Sequence, residues 1–171
     1  MLDLLSKETI LKEYPLKKII RYNHRFRLQN ETVAEHTCFV SLFCLKIMSK
    51  LNLSHEQERE ILILASLHDT CEVKTSDIPH DVKIAYKELT EFLDKIENDY
   101  YKECWPDYFE IVNNPSDLSY NVLKLADSYS VYQWCLCEKE LGNNSDSLTE
   151  IYIDCKKRIE MYTKKINDIV G

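Results

Sequence analysis

Glycine is nearly absent from this chain: Gly142 and Gly171 are the only two among 171 residues. Phosphate-cradling P-loops and dinucleotide-binding turns need several glycines at their tightest bends, so nucleotide binding through those folds is excluded. Long apolar runs are missing too, and none approaches the roughly 20 residues that span a bilayer. The start Met1-Leu2-Asp3-Leu4-Leu5-Ser6-Lys7-Glu8 lacks the basic-then-apolar order of a secretory signal, so a cytoplasmic protein without a membrane partner is expected. Positive charge is in short supply: 22 Lys and Arg against 29 Asp and Glu leave a formal charge of -7. That balance disfavours a nucleic-acid polymer as partner, because such binding comes mainly from neutralising phosphates with cations. A small anion can still be held by a local basic patch. The seven cysteines (38, 44, 71, 104, 135, 137 and 155) are odd in number and contain no CxxC pair. They fit a reducing compartment, with most acting as small apolar residues.

What is present is helical patterning. At this length, with 44% hydrophobic residues, one well-buried core and a single domain over 1–171 are expected. There is no repeat or Pro/Gly-rich linker, and the apolar spacing predicts an all-α bundle. Thr32 with Glu35 forms a capping-box pattern opening a helix to about Leu51, and Ser54 with Gln57 opens a second. Thr70 to Pro79 reads as a loop, Val82 to about Tyr101 as a third helix, and Pro106 and Pro115 bracket a connection. A fourth helix is predicted from Asp117 to Leu141, with Gly142-Asn143-Asn144 as its stop, and a last one over about 146–169. In that last segment Leu148, Tyr152, Cys155, Ile159, Tyr162, Ile166 and Ile169 form a seam that either closes the core or joins a second subunit.

Within this pattern three chemically distinctive side chains face inward. His36 shares a face with Val40, Phe43 and Ile47, and His68 ends the face of Ile61, Leu64 and Ala65. Asp127 interrupts the apolar and aromatic stripe of Tyr120, Leu123, Val131 and Trp134, where an unpaired carboxylate is costly. A lone histidine on an apolar face is ordinarily a hydrogen-bonded core residue. Two of them, with Asp69 adjacent to one and Asp127 on a further helix, suit a divalent ion of the Co, Mn, Fe or Zn type. Glu72, four residues beyond His68, is within reach for proton transfer. Cys71 is read as a packing residue. Between Tyr14 and Asn30 there is no acidic residue, while Lys17, Lys18, Arg21, His24, Arg25 and Arg27 make a positive patch.

The segments Arg21-Tyr22, Glu31-Thr32-Val33-Ala34-Glu35-His36, His68-Asp69-Thr70-Cys71-Glu72-Val73-Lys74-Thr75-Ser76-Asp77-Ile78-Pro79 and Lys124-Leu125-Ala126-Asp127 resemble, in order and spacing over about 18–143, the successive motifs of the HD-domain 5'-deoxynucleotidases. The resemblance implies a single HD-domain helical bundle with a metal site in its core, usually dimeric or a higher homo-oligomer. It implies that His36, His68, Asp69 and Asp127 hold one divalent ion, that Asp69 and Glu72 serve catalysis, and that Arg21 clamps phosphate, a role its planar guanidinium suits. Tyr22, His36, Asp69, Asp77, Ile78, Pro79, His80 and Asp127 would complete the substrate surround. Asp77 would meet the 3'-hydroxyl, and Ile78 and Pro79 would crowd the 2' position. Asp77 as cap of the following helix is the alternative reading. Tyr22 stands where the family commonly has Trp, and His80-Asp81 where it commonly has a Thr-Pro pair.

The expected function is removal of the 5'-phosphate from deoxyribonucleoside 5'-monophosphates by a metal-dependent phosphohydrolase. The runner-up is an HD-domain deoxynucleoside triphosphate triphosphohydrolase. A non-catalytic nucleotide-binding module is a third reading, opposed by the intact ligand set and Glu72.

Overall fold

A computed structural model describes residues 11–171, and the backbone alone of His80. The start Met1 to Glu8 therefore lies outside the described residues. Among the described residues eight α-helices follow one another: α1 (Val33–Met48), α2 (His55–Leu67), α3 (Glu72–Thr75), α4 (His80–Ala85), α5 (Lys87–Cys104), α6 (Phe109–Asn113), α7 (Asp117–Glu140) and α8 (Asp146–Val170). Among the described residues there is no strand; a lone antiparallel bridge joins Ile20 to Thr32. None of their helices is long and apolar enough to cross a membrane.

The principal helices begin where side-chain oxygens satisfy orphan amides. Both capping boxes form: the Thr32 hydroxyl accepts from the Glu35 amide while the Glu35 carboxylate accepts from the Thr32 amide, and Ser54 and Gln57 do the same for α2. Ser116 caps α7 and Ser145 caps α8. After α7 the chain reverses at Gly142, whose φ of +96° is left-handed, with Gly142 N donating to Lys139 O and Asn143 N to Glu138 O.

Helix α7 is the axis of the bundle and packs against α1, α2 and α8. Val40 and Cys44 of α1, Ile61 and Ala65 of α2, and Val122 and Ala126 of α7 are completely buried in one cluster. The seam of α8 closes this core: Leu148, Cys155 and Ile166 are buried, while Ile169 at its end is exposed. All seven cysteines are free thiols, and Cys44, Cys71, Cys135 and Cys155 are buried as apolar residues. Cys71 packs with Leu67, Tyr100 and Tyr101.

Three local expectations are corrected. The segment Thr70–Pro79 is not all loop. After α2, bonds from Thr70 N to Leu67 O, Glu72 N to Asp69 O, Val73 N to Thr70 O and Lys74 N to Cys71 O carry the chain onward in tightened turns into α3. The helix expected from Val82 to Tyr101 starts earlier, ends later and breaks at Tyr86, whose extended backbone (φ -128°, ψ 90°) separates α4 from α5. The Thr90 hydroxyl donates to the Lys83 carbonyl across the break and replaces a bond that a continuous helix would make. The stretch between Pro106 and Pro115 contains α6, which packs on α2 and α5.

The Thr32 cap sets the start of the helix that carries His36. Replacing Thr32 with Ala is expected to lower the unfolding free energy by about 1 kcal/mol, within the roughly 0.5–2 kcal/mol range for such caps. Urea denaturation read by circular dichroism measures this, and an unchanged midpoint would show that the box carries no stability.

Candidate metal centre and active-site cavity

The centre lies where α1, the end of α2 and the middle of α7 meet. His36 is completely buried, and its Nε2 lies 3.2 Å from Asp127 Oδ1 and 3.6 Å from Asp69 Oδ2. His68 Nε2 is 3.3 Å from Asp69 Oδ2. One ligand atom from each of His36, His68 and Asp69 falls within 4.8 Å of the other two. Asp127 joins this group through His36.

The far side of each imidazole is occupied. His68 Nδ1 lies 2.9 Å from the Ala65 carbonyl, which can only accept, so the proton of the neutral ring sits on Nδ1 and Nε2 presents a lone pair. His36 Nδ1 pairs with the Ser130 hydroxyl at 3.1 Å. The two Nε2 atoms are buried without a hydrogen-bond partner. Buried nitrogens left unpaired and turned toward two carboxylates are what a divalent cation requires, so the residues present fit such an ion.

Electrostatics point the same way. Burial, helped by the Arg21 charge, pushes His36 down to about 4 and keeps it neutral, the state a ligand nitrogen needs. For His68 burial opposes charge, but the neighbouring Asp69 carboxylate outweighs it and raises the His68 pKa. Burial also opposes ionisation of Asp69 and Asp127. His68 beside Asp69, and His36 with Lys124 beside Asp127, outweigh it and hold both well below the usual carboxylate range. Glu72 goes the other way: burial, then the charges of Asp69 and Asp77, raise it to about 9.

The tightened turns after α2 explain why Glu72 belongs to this site. In turns closed three residues back, side chains at i and i+3 eclipse, and Asp69 and Glu72 bear that relation. Both line one cavity of about 460 Å³. The end of α2 is braced from outside, since the Tyr101 hydroxyl donates to the Leu67 carbonyl at 2.7 Å, as does that of Thr70.

Arg21, Tyr22, Asp77, Ile78 and Pro79 line the same cavity, as do His24 and Arg25 of the basic segment. Arg21 is mostly buried and paired with Glu31 at 2.9 Å. Arg25 bonds to Ser147 and Asp81. Tyr22 takes a positive φ of 55° and stacks on Trp134 with ring centroids 4.3 Å apart. Asp77 does not cap α4, whose N-cap is Pro79 without a side-chain bond. Its Oδ2 instead accepts from the Tyr22 amide at 3.1 Å, 55 residues away. The side chain of His80 lies outside the described residues.

Two cations beside Asp127 went unassigned in the sequence. Lys124 lies one helical turn before Asp127 on α7, a spacing that places it beside the carboxylate. Arg158 of α8 reaches Asp127 Oδ2 at 3.4 Å, and nothing in the pattern of α8 distinguishes it from a solvated arginine.

The family described as 5'-deoxynucleotidase YfbR-like matches residues 11–169. A 5'-deoxynucleotidase of Vibrio vulnificus is 26% identical over 165 residues, covering 88% of this chain and 80% of that one. A 5'-deoxynucleotidase of Vibrio cholerae is 27% identical over 170 residues, covering 92% and 80%. Among solved structures, an HD-domain phosphohydrolase of Listeria innocua superposes with a TM-score of 0.72 at 24% identity, covering 91% of this chain and 80% of that one. The cyanophage S-2L HD phosphohydrolase bound to dA and one catalytic Zn²⁺ ion gives 0.70 at 20% identity, covering 90% and 81%. These likenesses support the all-α HD-domain fold.

His68→Ala and Asp69→Asn are expected to lose bound metal while the helical circular dichroism signal persists. Glu72→Gln should keep the metal and lose about 10²–10⁴-fold in kcat, the usual weight of a proton-transfer group. Elemental analysis of the purified variants checks the metal contents and steady-state kinetics the loss in kcat; full metal content in His68→Ala would remove His68 from the centre.

Proposed function

The chain belongs to the YfbR-like 5'-deoxynucleotidase family, and from that premise we propose that it removes the 5'-phosphate from deoxyribonucleoside 5'-monophosphates. The observation that carries this reading is the convergence of Asp69, Asp127, Glu72 and Arg21 on one cavity of nucleotide size, with the unpaired Nε2 atoms of His36 and His68 buried behind the two aspartates. His36, His68, Asp69 and Asp127 would hold the ion. A divalent ion there would neutralise phosphoryl charge and lower the pKa of a water. Arg21 holds the phosphate, with its guanidinium already oriented by Glu31. Water attacks phosphorus as the P–O5' bond breaks, and Glu72, carrying a proton at neutral pH, donates it to the departing 5'-oxygen; one proton of the attacking water then restores Glu72 and the other stays on the released phosphate.

The sugar is read by the segment after α3. With one carboxylate oxygen of Asp77 engaged by Tyr22, its other oxygen remains to accept from the 3'-hydroxyl, and Ile78 and Pro79 supply an apolar wall toward the 2' position. Relatives named 5'-deoxynucleotidases and a neighbour bound to dA support a deoxynucleotide substrate. Lys83, Lys124 and Arg158 add cationic lining, so removal of triphosphate from a deoxynucleoside triphosphate is the second reading.

The test is incubation of metal-loaded protein with dAMP, AMP and dATP, followed by separation of the products. Orthophosphate from dAMP, at a kcat/KM above that for AMP, is the expected result. Triphosphate released from dATP without turnover of dAMP would replace the proposal with the second reading. A steric wall against one hydroxyl is worth about 10–200-fold. Ile78→Ala should accordingly narrow the dAMP/AMP ratio, mainly by improving AMP; an unchanged ratio would show that this segment does not read the sugar.

A further inference from the structure

The basic segment 22–30 is closed at its neck by the bond from Arg21 N to Glu31 O and the bridge between Ile20 and Thr32. Its far end is held by a group that catalysis does not use. Glu138, near the end of α7, is completely buried. Its carboxylate accepts from Leu28 N at 2.8 Å through Oε2, from Gln29 N at 2.8 Å through Oε1, and from Asn143 Nδ2 at 2.7 Å. Leu28 N also approaches Oε1 at 3.1 Å. These donors are neutral amides, so the carboxylate is solvated by the segment's own backbone in place of water.

Glu138 also stands in a defined relation to the site. Trp134, on which Tyr22 stacks, lies four residues before it, and Asp127 seven before Trp134, so one face of α7 presents all three. The face that carries a predicted metal ligand thus grips the basic segment at both ends, the Tyr22 ring at one and the Leu28 and Gln29 amides at the other. Between these grips Arg27 Nη1 donates to the Tyr22 carbonyl at 3.1 Å, and Arg25 reaches Ser147 at the start of α8. The left-handed Tyr22, strained for a residue with a side chain, keeps its conformation because these contacts over-determine it.

We infer that Glu138 is a positioning residue for substrate binding: it fixes the register of segment 22–30 on α7 and so places Tyr22, Arg25 and the adjoining Arg21 at the mouth of the cavity. The inference rests on the phosphohydrolase reading for what is bound there, but not for the loop geometry itself. A glutamine at 138 keeps the size but offers one acceptor oxygen, and its amino group would face an amide N–H that then lacks a partner. A leucine offers none.

The test uses the metal-loaded full chain carrying Glu138→Gln or Glu138→Leu. Expected are an unchanged metal content, a kcat within about threefold of wild type and a KM for dAMP raised about tenfold in Glu138→Gln and more in Glu138→Leu. Hydrogen exchange should show protection lost at Leu28 and Gln29. An unchanged KM despite that loss, or a joint fall of kcat, affinity and metal content, overturns the inference. Should both variants fail to fold, Asn143→Ala, which removes a single donor, is expected to raise KM in the same direction by a smaller factor; no change in it overturns the inference. If wild type turns over no deoxynucleoside monophosphate, the substrate reading falls by itself. Inorganic phosphate titrated into the same metal-loaded proteins by calorimetry then decides: weaker binding by Glu138→Gln supports the positioning role, and equal binding overturns it.

Discussion

Two carboxylates face two imidazoles at the junction of three helices, and much of the molecule is arranged so that this desolvated cluster survives. An isolated buried carboxylate is unfavourable enough that it ordinarily takes up a proton. Asp69 and Asp127 remain ionised because His68, His36 and Lys124 lie against them, and Arg158 reaches in from α8 to the second oxygen of Asp127. The histidines are in turn fixed from behind by the Ala65 carbonyl and the Ser130 hydroxyl. An arrangement that spends its outer hydrogen bonds on orientation and leaves the inner nitrogens unpaired is built to receive a cation.

The departure from regular helix after α2 is the second constraint. Had α2 continued with 3.6 residues per turn, Asp69 and Glu72 would diverge around the axis. The tightened turns align them, and the Leu67 carbonyl, which accepts the Thr70 amide in the first of those turns, also accepts the hydroxyls of Tyr101 and Thr70. Distortion, brace and the alignment of Asp69 with Glu72 form one unit, in which α5 supplies Tyr101.

The acidic chain also had to create a region hospitable to an anion. It does so by drawing the acid-free stretch between Tyr14 and Asn30 over the cavity and pinning it with carboxylates placed elsewhere: Glu31 on Arg21, Asp77 on the Tyr22 amide and Glu138 on Leu28 and Gln29. Each pin neutralises donors that would otherwise need water, so residues 21–29 are held without a regular element of their own.

The sequence alone determined the all-α class, the bounds of α1, α7 and α8 to within a few residues, and the inward direction of His36, His68 and Asp127. Each follows from local rules: capping residues, a glycine at a helix stop and apolar spacing of three and four. It also carried the ordered motifs by which the family was recognised. Tertiary structure decided the break at Tyr86, the tightening after α2, the engagement of Asp77 with the Tyr22 amide, and the presence of Arg158 and Glu138 at their posts. Arg158 meets Asp127 across 31 positions and Glu138 meets Leu28 across 110. Such contacts leave no periodic trace along the chain, because a charged side chain on a helix reads as solvated until the fold shows which backbone or carboxylate has been brought against it.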